Sequence, residues 1–272
     1  MSVRDQAFMA TVRRIPRQRL TKVAGFLAKQ PVPPKLRRPV YGTFAWAVGA
    51  NLSESAQPLE AFESFNAFFT RELAPNVRPW FGDQTAWTMP ADGTMSVTGR
   101  VEKGQMLQVK GIHYSVEELL GEDAAPWEGA RYATVYLSPA DYHRVHWPVS
   151  GTVHTVRSMG GDLWPVNRAS VHSVPRLFVE NERTVSMITD IEGRKGAVIM
   201  VGATIVGGIE LRAPQPTPET PIAFAAGEEH GRFYLGSTVV LLVQDQDKPL
   251  QDYTGAADAH VRLGQELWTT KR

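Results

Sequence analysis

From residue 75 onward, glycines and prolines cut the chain into short runs, and that punctuation constrains the fold more than any other feature. Runs rich in β-branched, aromatic and other apolar residues recur at 105–110, 132–137, 151–156, 184–188, 197–201, 205–211 and 237–243. Runs of this length are too short for stable helices and suit strands. With turn residues between them, they predict a mostly antiparallel β core, barrel-like or sandwich-like. Residues 64–73 (SFNAFFTREL) and 115–121 (SVEELLG) read as short helices inside this pattern. No internal repeat stands out. The expected class is α+β, with residues 61–272 as a β-rich domain and residues 1–60 as a helical N-terminal region.

The two parts differ in charge. Residues 1–40 carry ten Lys/Arg and one acid, net +9, while the rest carries 19 basic and 27 acidic residues, net −8. Between Leu20 and Leu27 the apolar positions are 20, 23, 26 and 27, an imperfect helical stripe. Prolines 31, 33, 34 and 39 are expected to break any helix there. A bulky uncharged stretch, residues 41–48 (YGTFAWAV), follows. A basic amphipathic segment flanked by Phe and Trp predicts a region lying in an anionic membrane surface. The competing reading packs its apolar side on the body. Nucleic acid is not an expected partner, because the body is acidic and holds no recognisable binding module. The longest apolar stretch, 40–50, falls well short of the ~20 residues of a spanning helix. No signal-peptide pattern is evident, so a transmembrane chain is not expected. The absence of Cys excludes disulfides, thiolate nucleophiles and Cys-ligated metals.

Three places could carry chemistry. His143 and His146 lie three apart in residues 142–148 (YHRVHWP) and could be metal ligands, acid/base groups or structural imidazoles. No HExxH pattern accompanies them, so no metal is expected. Asp92, in residues 90–94 (PADGT), is either a turn residue or the orienter of a histidine. Ser237 follows Gly236 at the mouth of an apolar run, either as a turn or as a serine in a strainable backbone position. It is not the G-x-S-x-G elbow of hydrolases, since Val239 stands where the second Gly belongs.

Taken together and in order, longer blocks of the chain resemble bacterial-type phosphatidylserine decarboxylase proenzymes. The blocks are residues 65–73 (FNAFFTREL), 90–94, 109–121 (VKGIHYSVEELLG), 136–148 (YLSPADYHRVHWP), 166–168 (VNR), 177–183 (LFVENER), 201–209 (VGATIVGGI) and 231–239 (GRFYLGSTV). The resemblance implies self-cleavage between Gly236 and Ser237, leaving pieces of 236 and 36 residues from the 272-residue chain. It implies an Asp92–His146–Ser237 triad for that cut, and His143 in substrate handling and decarboxylation. Ser237 would become a covalent pyruvoyl cofactor, with no metal. Phosphatidylserine would be converted to phosphatidylethanolamine and CO2. The large and small subunits would pair, as a homodimer of that heterodimer, peripherally on the cytoplasmic face of the cell membrane. Two other classes are weighed beside it: a serine hydrolase that keeps Ser237 intact, and a non-enzymatic membrane-bound β scaffold.

Overall fold

The computed structural model describes residues 3–80, 85–204, 208–212, 216–217, 219–234 and 236–270. Helices α1 (Val3–Arg14), α2 (Arg17–Lys29), α3 (Pro34–Val48) and the short α4 (Phe65–Phe69) come first. Strands β1 (Trp87–Thr88), β2 (Gly93–Arg100), β3 (Gln105–Val109) and β4 (Ile112–Ser115) lead to α5 (Val116–Leu120). Next come β5 (Arg131–Leu137), β6 (Arg144–His146), β7 (Gly151–Met159), α6 (Arg168–Val171) and α7 (Leu177–Glu180). The second half is β8 (Arg183–Asp190), β9 (Lys195–Val201), β10 (Ile209–Leu211), β11 (Ile222–Phe224), β12 (Glu229–Phe233), β13 (Ser237–Val243), β14 (His260–Val261) and β15 (Glu266–Trp268).

Eight strands form one antiparallel sheet in the order β11-β7-β8-β9-β13-β5-β2-β14. The sheet is open, with β11 and β14 at its edges, so the sandwich-like expectation holds and a closed barrel does not form among the described residues. Near its middle, β13 is buried at every position. Successive side chains on a strand point to opposite faces. Val240 and Leu242 accordingly join one apolar cluster with Leu119, Leu120 and Phe178. Val239, Leu241 and Val243 join another with Val145 and Phe233. A strand buried on both faces must be apolar throughout, which is why 237–243 reads as a continuous hydrophobic run. The second face is covered by a three-stranded sheet, β10-β12-β6.

Five of the expected strand runs lie in the large sheet, and the run at 105–110 forms a separate hairpin with β4. The run at 205–211 is seen from Ile209; residues 205–207 lie outside the described residues. The short helices are capped as their sequences suggest. Ser64 accepts from the Ala67 N–H, Ser115 accepts from the Glu118 N–H, and Gly121 closes α5 in the left-handed region.

The prolines do not break the third helix. Pro34 occupies its first turn, where the missing N–H costs nothing, and the helix runs on through Pro39. Packing overrides the lost hydrogen bond at Pro39. Tyr41 and Ala45 are buried against Phe62 and Phe68, with the Tyr41 and Phe68 rings stacked at 4.8 Å. Arg37 fastens the helix start by donating to the carbonyls of Val32 and Glu60, each at 2.9 Å.

The N-terminal helices are docked on the β core and yet apolar outward. Met9 enters the first core cluster, and Arg17 donates to both Asp162 oxygens at 2.7 and 3.1 Å while lying 3.6 Å from the Trp164 ring centroid. On the outward side Val23, Phe26, Leu27, Leu36 and Val40 are exposed, and Trp46 is 84% exposed. No described helix is long and apolar enough to cross a membrane.

Candidate active site

The chain crosses from the small sheet to the large one between β12 and β13, and Ser237 is the first residue after that crossing. Its partner across the ladder is Leu137 of β5. Ser237 is fully buried, and its Oγ has no hydrogen-bond partner among the described residues. Gly236 before it has φ +48°, a left-handed conformation that side chains resist, and a Cβ built there would meet nothing within 4 Å among the described residues. The hydroxyl that follows this glycine sits in a dry, unsatisfied position. Leu235, the other member of the expected cleavage motif, lies outside the described residues.

Asp92 stands immediately before β2. Gly93 is required there, since a side chain would run into the Tyr136 backbone on the neighbouring strand. The buried Asp92 carboxylate accepts from Arg78 Nε at 2.9 and 3.1 Å, from Arg78 Nη2 at 2.5 Å and from the Leu263 N–H at 2.9 Å. Arg78 Nη2 also reaches Glu54 at 2.6 Å. That hydrogen bond holds the Glu54 carboxyl below its usual range, and the Asp92 pairing holds the Arg78 proton more firmly than usual.

His146 ends β6, and its backbone N–H donates to Pro90 O at 2.8 Å, which brings the two motif segments side by side. Its Nδ1 lies 2.8 Å from Gly227 O and its Nε2 lies 3.0 Å from the Tyr142 hydroxyl. A carbonyl only accepts, so Nδ1 carries the proton and Nε2 offers its lone pair to Tyr142. Burial lowers the His146 pKa, against an opposing contribution from the Gly227 hydrogen bond and a smaller one from Asp92. His143 is fully buried, with its ring 4.2 Å from that of Phe69. Its Nδ1 donates to Asp141 O at 2.9 Å, and its Nε2 has no partner among the described residues. Burial pushes the His143 pKa down to about 4.

In both histidines the carbonyl partner places the hydrogen on Nδ1 and leaves Nε2 as the basic nitrogen, and burial disfavours the charged ring. Asp92 and His146 are neighbours across the Pro90 contact, but no hydrogen bond joins them. The oxygens of Asp92 are used by Arg78 and Leu263, and the nitrogens of His146 by Gly227 and Tyr142. Tyr142, Arg78 and Arg71 carry no sequence signal of their own. Tyr142 and Arg71 sit inside longer motifs, and Arg78 lies in none. A cleft of about 320 Å³ gathers Asp92, Arg78, Tyr142, Arg71, Ser138 and Arg262. Larger clefts of about 740 and 620 Å³ lie under α2, away from these groups. Among the described residues no three His, Asp or Glu side chains converge as metal ligands.

A family model described as phosphatidylserine decarboxylase matches residues 65–269. The relatives include proteins named phosphatidylserine decarboxylase proenzyme from several bacteria. One from Pseudomonas aeruginosa strain PAO1 is 39% identical over 291 aligned positions, covering 100% of both chains. Another from Anaeromyxobacter sp. strain K is 39% identical, covering 97% of this chain and 98% of its own. A third, from Alcanivorax borkumensis, is 42% identical over 89% of each chain. The matched stretch takes in the Asp92, His143, His146 and Ser237 segments together, and the chain belongs to the phosphatidylserine decarboxylase family.

Proposed function

We propose that this chain is a proenzyme that cuts itself between Gly236 and Ser237 and then decarboxylates phosphatidylserine to phosphatidylethanolamine and CO2. The observation that carries the reading is the buried, unpartnered Ser237 Oγ directly after a left-handed Gly236. A buried hydroxyl without a partner is costly to keep, and a nucleophile that would attack the preceding Gly236 carbonyl is a reason to keep it.

In the proposed cut, Ser237 Oγ bonds to the Gly236 carbonyl carbon as the Gly236–Ser237 C–N bond breaks, which moves the acyl group from N to O. His146 Nε2 takes the hydroxyl proton. In the uncut chain Tyr142 stands on that nitrogen, so the transfer either passes through the Tyr142 hydroxyl or follows its displacement. Asp92 favours the imidazolium through space, with Arg78 holding the carboxylate in place. Loss of the Ser237 α-proton then expels the Gly236 carboxylate by β-elimination, and hydrolysis of the residual enamine releases ammonia. An orphaned serine beside open space fits the pyruvoyl group that these steps would leave. That group supplies an electrophilic ketone and a sink for the electrons released with CO2. His143, dry and with a bare Nε2, is proposed to take a proton from the substrate ammonium and to deliver it to the α-carbon that CO2 leaves. Dryness around it favours loss of a carboxylate charge.

We further propose peripheral attachment to the cytoplasmic face of the cell membrane through residues 1–60, supported by the +9 charge of residues 1–40 and the outward apolar side of α2 and α3. The two pieces stay paired, and the family resemblance supports a homodimer of that pair. Intact mass and gel analysis test the central claim. The unaltered chain should appear as two pieces, the smaller without a free N-terminal amine, whereas Ser237→Ala should stay whole at 30.1 kDa. An unaltered chain that remains whole after prolonged incubation would sink the proposal.

A further inference from the structure

Five arginines of the described chain are buried, and four of them are used. Arg131 donates to Asp245, Arg144 to the Thr70 carbonyl, Arg183 to the Leu119 carbonyl and Arg194 to Asp190. The fifth, Arg71, is 5% exposed; its guanidinium lies 5.5 Å from the Phe68 ring centroid, but among the described residues it has neither an ion pair nor a side-chain hydrogen bond, and its Nε–H is a buried donor without a partner. A guanidinium held away from water without an acceptor is strongly disfavoured unless an anion completes it. The Asp92 and Glu54 carboxylates that line the same cleft are occupied: Arg78 bridges them. Asp141, which also lines the cleft, is taken by the Ser138 N–H and hydroxyl, each at 2.7 Å, and by His260 at 3.0 Å. Arg71 lines the 320 Å³ cleft, and the exposed Arg262, without an ion pair among the described residues, lines it too. The volume lies in the range of small-ligand clefts.

We propose that this cleft is the binding site for the phosphodiester of a lipid headgroup, with Arg71 as its buried donor and Arg262 as its outer one. The assignment rests on the decarboxylase reading above. Two anions are present on phosphatidylserine, and chemistry separates them. The carboxylate must surrender its charge as CO2 leaves. A guanidinium clamped on it would stabilise the substrate more than the transition state, and so slow the reaction. The phosphodiester keeps its charge throughout, so binding it anchors the headgroup without opposing the chemistry. Arginine is also the side chain that meets phosphate with two parallel N–H donors. The placement suits the reaction, because Tyr142 lines the cleft and the adjacent His143 packs on Phe69, two residues from Arg71.

Calorimetry on the full-length Ser237→Ala chain tests this without any turnover. Glycerophosphoethanolamine, a phosphodiester without a carboxylate, should bind, and serine, a carboxylate without phosphate, should not compete with it. Inorganic phosphate should bind more weakly than the diester. Adding Arg71→Gln should weaken glycerophosphoethanolamine binding about 10- to 100-fold, the range for a lost charged hydrogen bond. Arg71→Lys should fall between. Equal affinity with Arg71→Gln overturns the site, and so does competition by serine with no diester binding. Inorganic phosphate binding as tightly as the diester overturns the headgroup as the source. Should the Arg71 variants fail to fold, the Arg71 Nε–H resonance of the Ser237→Ala chain decides: it should move on adding the diester, and a resonance that stays still overturns the proposal. Self-cleavage with Ser237 restored keeps the two readings apart. Failure of the unaltered chain to cut is a failure of the proenzyme reading, whereas a chain that cuts and decarboxylates but ignores the diester loses only the site.

Discussion

At the scale of single residues, the two histidines differ in what surrounds Nε2. That of His146 is engaged by Tyr142, and that of His143 is bare. His146→Ala and Asp92→Ala are expected to leave the chain uncut, read as a single full-length band. His143→Ala should still cut but lose about 10²–10⁴ in decarboxylation rate, the usual cost of a missing acid/base group. An uncut His143→Ala beside a normally cut His146→Ala would reverse the assignment. Burial of His143 and His230, whose pKa values fall to about 4 and about 3, also makes a stability prediction. Each binds its proton less readily folded than unfolded, so their contribution is present above the unfolded pKa near 6.5 and is lost as pH falls toward the folded values. The melting temperature of the Ser237→Ala chain should drop between about pH 6.5 and pH 4. His230→Phe, which keeps the ring that lies 3.8 Å from Trp147, should flatten the slope in thermal melts across that range. Asp92, His143, His146 and Ser237 stood out in the sequence because they sit in recognisable blocks. The partners Arg78 and Gly227 did not, because what distinguishes them is burial and approach from elsewhere in the chain.

At the scale of elements, strand runs were legible wherever burial on both faces forced continuous apolar sequence, as in β9 and β13. The neighbouring β2 was not, because Gly93 and its alternating polar positions read as a turn while its pairing partners lie in distant sequence. The helix through Pro39 was missed for a related reason: local propensity spoke against it, and the contact of Tyr41 with Phe68 that overrides it is tertiary. The outward faces of α2 and α3 carry the next expectation. Replacing Phe26, Leu27 and Trp46 by Ser should leave folding and self-cleavage intact, since these side chains are exposed. Binding to anionic vesicles should fall by about tenfold or more, because each buried side chain of this kind contributes about 1.5–3 kcal/mol. Vesicle flotation reads it, and undiminished binding by the triple variant would refute the anchor. High salt should weaken, without abolishing, binding of the unaltered chain.

At the scale of the molecule, the proposed cut falls at the entrance to β13, which is hydrogen-bonded to β9 on one side and β5 on the other. The 36-residue product would begin with a strand near the middle of an eight-stranded sheet, apolar on both faces. It has no route out that does not dismantle both cores, so the pieces should co-purify and separate only under denaturing conditions. The uncut chain assembles this arrangement as one connected polymer, whose tether holds β13 at high local concentration. Once the tether is gone, rebuilding the sheet requires two separate molecules to meet, one of them a short hydrophobic peptide. The Ser237→Ala chain should therefore recover from urea independently of its concentration, whereas the cut form should recover poorly and in proportion to it. Folding and maturation are then ordered in time: the molecule has one opportunity to lay its central strand, and cleavage makes that history impossible to repeat.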